Sequence, residues 1–316
     1  MSLFRLFGNK RITKDDEFAE IPTNFKGFFV MFGRKFWNIS NLSLIYSFVN
    51  LPVLFLLLGY SMRQPVSVVA NPMTAQFYSF WQISQSLSLS SIFPFVSSVA
   101  TSYVSSSATY VFYAISLLFL ITFGLSNAGA SYVIRGYNRG DPVFLISDFF
   151  GAIKRNWKQA VVMGVIDILL CVILVFDFIF WSSYPGFIGG MLMYFALFLC
   201  VLYFMMRFYI YTIMITFDLS IYKIYKDAFL LTFLGFKRNF LALLGIFATL
   251  SLSMFLCLLY LPVGIIMPII LTFGLFMFIA GYASYPVIKK YMITPFYEDE
   301  NCSDYSDDEP VFEDRG

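Results

Sequence analysis

The chain has 316 residues, of which 59% are hydrophobic and only 13% are charged, and its formal net charge is +2. A soluble domain could not cover so much apolar surface, so the mean hydropathy of +0.76 indicates an integral membrane protein. The absence of histidine excludes a Ser/His/Asp triad, a Cys/His dyad and a His-ligated metal site. We expect no cofactor, no bound metal and no enzymatic activity, and the expected surroundings are the lipid bilayer with no nucleic-acid partner.

The N-terminal segment, residues 1–41, is predicted to be cytoplasmic. Phenylalanines recur in it at helical spacing beside Lys26, Arg34 and Lys35, which is typical of an amphipathic helix at the membrane surface. A helix that binds a partner protein has the same pattern, so both interpretations stay open. The phenylalanines are Phe25, Phe28, Phe29, Phe32 and Phe36.

Six long apolar runs follow, each near the roughly 20 residues that are needed to cross a hydrocarbon core. The sequence therefore predicts an all-α fold, a polytopic bundle of six transmembrane spans within residues 42–297. The runs cover about residues 42–61, 109–134, 160–181, 188–216, 239–260 and 263–288.

Lys and Arg residues are distributed unevenly around these spans. If the chain crosses the membrane six times, 20 of the 21 basic residues fall on the same side as the termini or in the adjacent half of span four. Arg63 alone falls on the opposite side. Because basic loops are retained in the cytoplasm, both termini are predicted to be cytoplasmic in a protein of the cell membrane.

The outer loop, residues 62–108, carries no charge after Arg63. Its glutamines and aromatic residues can stack on and hydrogen-bond a neutral polar ligand such as a sugar. A loop that packs on the helix ends explains the same composition. The residues concerned are Gln76, Tyr78, Phe80, Trp81, Gln82 and Gln85. At the other end of the chain, the acidic tail at residues 298–316 is predicted to be disordered.

Two opposite charges fall inside predicted spans at a similar depth from the cytoplasmic side, namely Asp167 in span three and Arg207 in span four. Charges within a membrane are costly, so a partner is expected for each of them. The sequence predicts an ion pair, which either fixes the register of the two helices or serves a proton or a ligand.

The cytoplasmic loops after spans two and four each contain an amphipathic stretch that ends in Lys-Arg-Asn. An exposed basic and aromatic helix is a candidate surface for contacting another protein. The candidate contact residues are Asp148, Phe149, Lys154, Arg155, Asn156, Lys158, Lys237 and Arg238.

From Phe123 the sequence FGLSNAGASYVIRGYNRGDPVFLISDFFGAIKRNWKQAVVMG resembles the YesL-like family of membrane proteins of Gram-positive bacteria, a domain of unknown function. Phe217–Phe240 is similar to a second stretch of that family, although Asp227 stands where the family usually has Asn. Asn50-Leu51-Pro52 resembles the family's end of span one, after which this chain inserts about 60 residues. The positions that carry the main resemblance are Gly124, Asn127, Gly129, Tyr132 to Arg139, Asp148, Phe149, Asn156, Lys158 and Gln159.

Members of that family are associated with carbohydrate uptake, often with sugar ABC transporters. The resemblance implies a non-enzymatic accessory or regulator of such a system, with subunits of a sugar ABC transporter as partners. The alternative is a transporter or permease subunit in its own right, although no Walker motif occurs. An intramembrane enzyme is the third class, against which stands the lack of paired acids and of a Gly-x-Ser-x-Gly elbow.

Overall fold

A computed structural model describes residues 24–62, 64–66, 102–104 and 107–294. The prediction of a polytopic helical bundle is confirmed, because five helices are long and apolar enough to cross a membrane, or six if one interrupted pair is a single span. The predicted outer-loop ligand residues and the acidic tail lie outside the described residues. The five are Ser107–Arg139, Leu145–Ser182, Phe187–Thr216, Phe236–Leu259 and Leu261–Ile293, and the pair is Phe25–Val49 with Pro52–Ser61.

Helices make up nearly all of the described chain. We number them α1 Phe25–Val49, α2 Pro52–Ser61, α3 Ser107–Ser116, α4 Phe119–Arg139, α5 Leu145–Ser182, α6 Phe187–Thr216, α7 Ile221–Leu234, α8 Phe236–Leu259, α9 Leu261–Met267 and α10 Phe273–Ile288. Two π-helical segments, Pro268–Thr272 and Lys289–Ile293, flank α10. The chain divides into a smaller unit, Leu51–Phe119, and a larger unit formed by Met1–Asn50 and Leu120–Gly316.

The smaller unit holds α2, α3 and a two-stranded antiparallel ribbon. Strand β1, Gln64–Val66, pairs with β2, Ser102–Val104, with Pro65 opposite Tyr103. Helices α2 and α3 pack closely where Gly59 faces the ring of Tyr113.

The larger unit has two hydrophobic cores. One surrounds the C-terminal half of α6, where Tyr209, Ile210 and Ile213 are fully buried and contact residues of α5, α7, α8 and α10. The other lies between α1, α4 and α10 and is centred on Ile39, Leu42, Ile134 and Phe278. Large apolar side chains elsewhere on these helices point outward, as expected for surfaces that face lipid.

Serines of α1 stabilise the π-helical segment that precedes α10. The Ser40 hydroxyl donates to the carbonyl of Ile270 at 3.0 Å, and the Ser43 hydroxyl donates to that of Ile269 at 2.9 Å. A π-helical turn disturbs the regular ladder of backbone hydrogen bonds, and in an apolar environment the affected carbonyls need other donors. The absence of a side chain at Gly274 lets α1 come close enough for this, because a Cβ there would overlap the carbonyl of Ile39.

Two boundaries predicted from the sequence fall inside continuous helices. Helix α1 begins at Phe25, so residue 41 is a point within it, and the chain breaks instead at Asn50-Leu51. Helix α5 begins at Leu145 and runs without interruption through the predicted third span. The amphipathic stretch of the loop after span two is therefore the first part of the spanning helix.

Glycines at the contact between α4 and α5 bring the two backbones together. A Cβ on Gly124 would overlap the backbone carbonyl of Ala160, and one on Gly164 would meet the backbone of Gly124. Small residues at helix contacts allow this close approach in membranes. The contact lies three residues before Asp167 on α5 and so fixes the position of that carboxylate.

Replacing Gly124 by alanine should lower the melting temperature in detergent, because the added methyl group forces α4 and α5 apart. Overpacking of this kind costs about 1–3 kcal/mol. The matched control is Gly33→Ala on α1, where no atom lies within 4 Å of the position of the new Cβ. That change should leave stability equal or raise it through helix propensity. Equal melting temperatures for the two variants would contradict the assigned helix contact.

Candidate functional site

The Asp167 carboxylate is fully buried between α5 and α6 in the larger unit. The Nε atom of Arg207 lies 3.0 Å from Oδ1 and 3.1 Å from Oδ2 of this carboxylate. Arg207 also stacks over the ring of Phe123, with its Cζ 5.4 Å from the ring centre. The structure thus brings together the two charged residues that the sequence singled out, on neighbouring helices.

Two buried tyrosines also donate to Asp167, beside the Cys171 thiol, whose Sγ lies 3.7 Å from Oδ1. The Tyr203 hydroxyl donates to Oδ1 at 2.8 Å, and the Tyr211 hydroxyl donates to Oδ2 at 2.9 Å. They flank Arg207 on α6 at spacings of four residues, so all three donors lie on one face of that helix. The carboxylate therefore accepts a charged donor and two neutral donors, which together replace the water it has lost. We call Asp167, Tyr203, Arg207 and Tyr211 the Asp167 cluster.

Sequence reasoning missed both tyrosines. A signal was present, because Tyr203, Arg207 and Tyr211 recur at i, i+4 and i+8, the spacing of one helical face. With 21 tyrosines in the chain, such a spacing stands out only once the partner helix is known.

Tyr225 reaches the same region from α7, outside the candidate spans. Burial raises the pKa of its phenol to about 12, and the negative charge of Asp167 acts in the same direction. The phenol is therefore neutral at physiological pH and adds no charge next to the carboxylate.

A second polar contact joins α6, α7 and α8. Tyr209 donates to the Asn239 side-chain oxygen at 2.7 Å, and the Asn239 amide donates to the carbonyl of Thr232 at 3.0 Å. Asn239 is fully buried, so this amide ties the basic start of α8 to the core. It was predicted only as part of the Lys-Arg-Asn sequence and not as a buried residue.

A cavity of about 200 Å³ adjoins the Asp167 cluster in the larger unit, lined by residues of α1, α4, α6, α8 and α10. Arg207 and Tyr211 form part of its wall, so the cluster faces it. Helix α4 contributes a polar stripe at spacings of four, four and three residues. The stripe consists of Asn127, Ser131, Arg135 and Asn138.

The residues proposed as partner contacts have different surroundings. Lys154, Arg155, Lys158 and Lys237 are exposed. Arg238 is half-buried and donates to the carbonyl of Tyr282 at 3.2 Å.

Three further candidate contacts are engaged within the chain. The Asp148 carboxylate accepts from the backbone N–H of Phe144 at 2.7 Å, at the start of α5, where a negative charge suits the helix dipole. The Asn156 amide donates to the carbonyl of Ala152 at 3.2 Å.

Phe149 is the third of these candidates, and it is buried within the chain. Its ring is fully buried, and a Cβ on Gly129 of α4 would lie 2.8 Å from it. The ring therefore anchors the start of α5 to α4 and does not face a partner. Periodicity marked Phe149 as part of an apolar stripe, but it could not tell which side of the stripe was covered.

Among the described residues no group of three His, Cys, Asp or Glu side chains is arranged to hold a metal ion. The chemistry that the site offers is therefore that of one neutralised carboxylate, two guanidinium groups and several hydroxyl and amide groups beside a cavity.

The fold and the site define a class: a polytopic helical membrane protein with a polar cluster inside the bundle. Residues 103–178 match the model of a family described as a protein of unknown function, DUF624. The match includes the polar stripe of α4, the Gly124 contact and Asp167. No curated protein and no solved structure matches the chain.

Breaking the Asp167–Arg207 pair from either side should destabilise the protein strongly. Asp167→Asn or Arg207→Met alone should cost about 3–5 kcal/mol, because a single charge is left in a low-dielectric environment. The double variant should recover most of that loss. Melting temperatures of all three variants in one detergent measure the coupling, and additive losses would contradict it.

The tyrosine donors give a second, independent measurement of the same cluster. Tyr203→Phe or Tyr211→Phe should each cost about 1.5–3 kcal/mol, since each removes a hydrogen bond to a charged group. Tyr194→Phe on the same helix is the matched control, because that side chain is 67% exposed.

Proposed function

We propose that this chain is a YesL-like, non-enzymatic membrane subunit of a Gram-positive bacterium that assists or regulates a carbohydrate uptake system. In this proposal it docks on subunits of a sugar ABC transporter through the start of α5. The observation that carries the proposal is the length of α5, which has 38 residues. Since about 20 residues cross the hydrocarbon core, a helix of this length extends well beyond it at one or both ends.

The hydropathy of the sequence assigns the extension to the N-terminal part of α5. Residues 160–181 form the apolar run, whereas Lys154, Arg155 and Lys158 precede it. We call residues 145–159 the projecting segment.

The projecting segment carries exposed aromatic rings beside its basic residues. Phe150 is 50% exposed and Trp157 is 53% exposed. Aromatic and arginine side chains are the groups enriched in protein–protein interfaces. The buried ring of Phe149 holds the segment against α4, so the exposed residues are presented on a fixed surface, which lowers the entropic cost of docking.

The orientation of the chain in the membrane is part of the same proposal. Basic residues accumulate at the projecting segment and at the start of α8, which supports a cytoplasmic location for both and for both termini in the cell membrane. The connection to sugar uptake rests on the resemblance to the YesL-like family. The family model that matches residues 103–178 covers the whole projecting segment.

A transporter in its own right is the second candidate function. The observation in its favour is the cavity lined by Arg135 and Arg207, since ionisable residues within a bundle often mark a path for a substrate. Sugar uptake by the purified chain alone in proteoliposomes would favour this function over the accessory role.

Affinity purification of the tagged full chain from native membranes in mild detergent should recover the permease and ATPase subunits of a sugar ABC transporter. Changing Phe150 and Trp157 to serine together should abolish that recovery without lowering the melting temperature, because both rings are exposed. Phe187→Ser is the control, since Phe187 is 86% exposed at the opposite end of the α5–α6 hairpin. Undiminished recovery with the double variant, or no transporter subunits with the native chain, would contradict the proposal.

The proposed topology is tested by cysteine labelling in intact cells, with the four native cysteines replaced by serine. A membrane-impermeant maleimide should label Gln85→Cys from outside. It should label Arg155→Cys and Lys237→Cys only after the cells are permeabilised, because these positions belong to the basic, retained side. External labelling of either inner position would rule out the orientation.

A further inference from the structure

The cavity beside the Asp167 cluster has an unbalanced charge. Arg135 and Arg207 both line it, and no acidic side chain does. Asp167 neutralises Arg207 from behind the cavity wall, with Nε–Oδ1 at 3.0 Å. Arg135 therefore decides the charge of the cavity, which is close to +1.

Arg135 has no carboxylate partner within the described part of the chain. Its Nη1 atom donates to the carbonyl of Ile215 at 3.3 Å and to the Thr216 hydroxyl at 3.1 Å, both neutral acceptors. The nearest acid along the chain, Asp141, is paired with Arg139 at 3.3 Å. A half-buried guanidinium held by neutral groups loses hydration that a protein counter-ion would have replaced, and such a residue in a bundle is a functional candidate.

The groups around Arg135 add donors. Asn138 lies three residues further along α4, on the same face, and its buried Nδ2 has no hydrogen-bond partner among the residues that the structure describes. Ser131 lies four residues before Arg135 and also lines the cavity.

The Tyr132 ring contacts two guanidinium groups, because the Cζ atoms of Arg135 and Arg155 are 5.0 Å and 4.9 Å from its centre. Arg155 does not line the cavity, so the unbalanced positive charge there comes from Arg135.

We infer that this cavity is a binding site for an oxyanion, a phosphate or carboxylate group, which Arg135 and Asn138 hold at the end of α4. A planar guanidinium can donate two parallel hydrogen bonds to such a group, and the free amide of Asn138 supplies a third donor. Tyr46, Asn127 and Tyr211 also line the cavity, but their side chains already donate within the chain, to Asn127, Phe123 and Asp167.

The anion has two possible sources, the headgroup of an anionic phospholipid or a small molecule from water. Both offer the same oxyanion chemistry to Arg135. The site is independent of the docking surface on the projecting segment, because it lies in the cavity wall of α4 and needs no partner protein.

The experiment uses the purified full chain in nanodiscs and measures its melting temperature. In phosphatidylcholine, inorganic phosphate at increasing concentration should raise the melting temperature, since a ligand that binds only the folded state stabilises it. Substituting phosphatidylglycerol for part of the phosphatidylcholine, without added phosphate, tests the lipid source. The total ionic strength is held constant in both arms, by lowering sodium chloride as phosphate is added, so that screening does not change.

Arg135→Gln should weaken the response roughly tenfold or more in apparent affinity, as expected for hydrogen bonds to a charged group. Lys226→Gln on α7 is the matched control, because Lys226 is exposed and does not line the cavity. Asn138→Asp is a second variant that does not depend on removing the guanidinium. Its carboxylate would neutralise Arg135 internally, so the anion response should disappear while the unliganded protein stays at least as stable.

A rise with phosphate that depends on Arg135 and Asn138 supports the site with a water-soluble ligand. A rise only with phosphatidylglycerol that depends on the same residues supports it with a lipid headgroup. The inference is overturned if neither anion raises the melting temperature, or if the rise persists in Arg135→Gln and Asn138→Asp. Partner recovery in affinity purification is unaffected by these outcomes, so failure of this site and failure of the docking proposal are distinguishable.

Discussion

The need of one buried carboxylate for hydrogen-bond donors determines how the central helices pack. Ionised Asp167 can remain in an apolar bundle only if its oxygens accept enough hydrogen bonds to replace water. Arg207, Tyr203 and Tyr211 supply them from one face of α6. A rotation of α6 by one residue would turn all three donors away together, so the carboxylate fixes the register between α5 and α6. The glycine contact between α4 and α5 fixes the position of the Asp167 carboxylate along the helix axis.

The same requirement explains the small polar residues elsewhere in the larger unit. Serines of α1 donate to the carbonyls of the π-helical segment, and the Asn50 amide donates to the Ser126 hydroxyl at 2.7 Å. These hydroxyl and amide donors are satisfied by acceptors on neighbouring helices, as an environment without water demands. Arg135 differs from these groups because it carries a charge, whereas its hydrogen-bond acceptors, the Ile215 carbonyl and the Thr216 hydroxyl, are neutral. The family match over residues 103–178 covers both the satisfied carboxylate and this arginine.

Hydropathy was sufficient to predict a helical bundle with five or six candidate spans, since the energetic cost of placing polar groups in hydrocarbon is large and local. It could not predict where helices end outside the hydrocarbon. No proline interrupts Leu145–Ser182, so the amphipathic stretch and the span form one helix although their apolar patterns differ. The charges of Asp167 and Arg207 were readable because charges in spans are rare. The tyrosine donors and the burial of Phe149 could not be predicted, because both depend on which helix covers which face. A single sequence does not contain that information.

The continuity of α5 has a mechanical consequence. Trp157 and Asp167 are ten residues apart on one hydrogen-bonded rod, a separation of about 15 Å at 1.5 Å per residue. A helix without a break transmits tilt and axial rotation along its whole length. The close contact of Gly164 with α4 restrains both motions near Asp167. A force on the exposed end of α5 would therefore act on the hydrogen bonds of the Asp167 carboxylate. The strength of those bonds limits how far α5 can rotate or tilt.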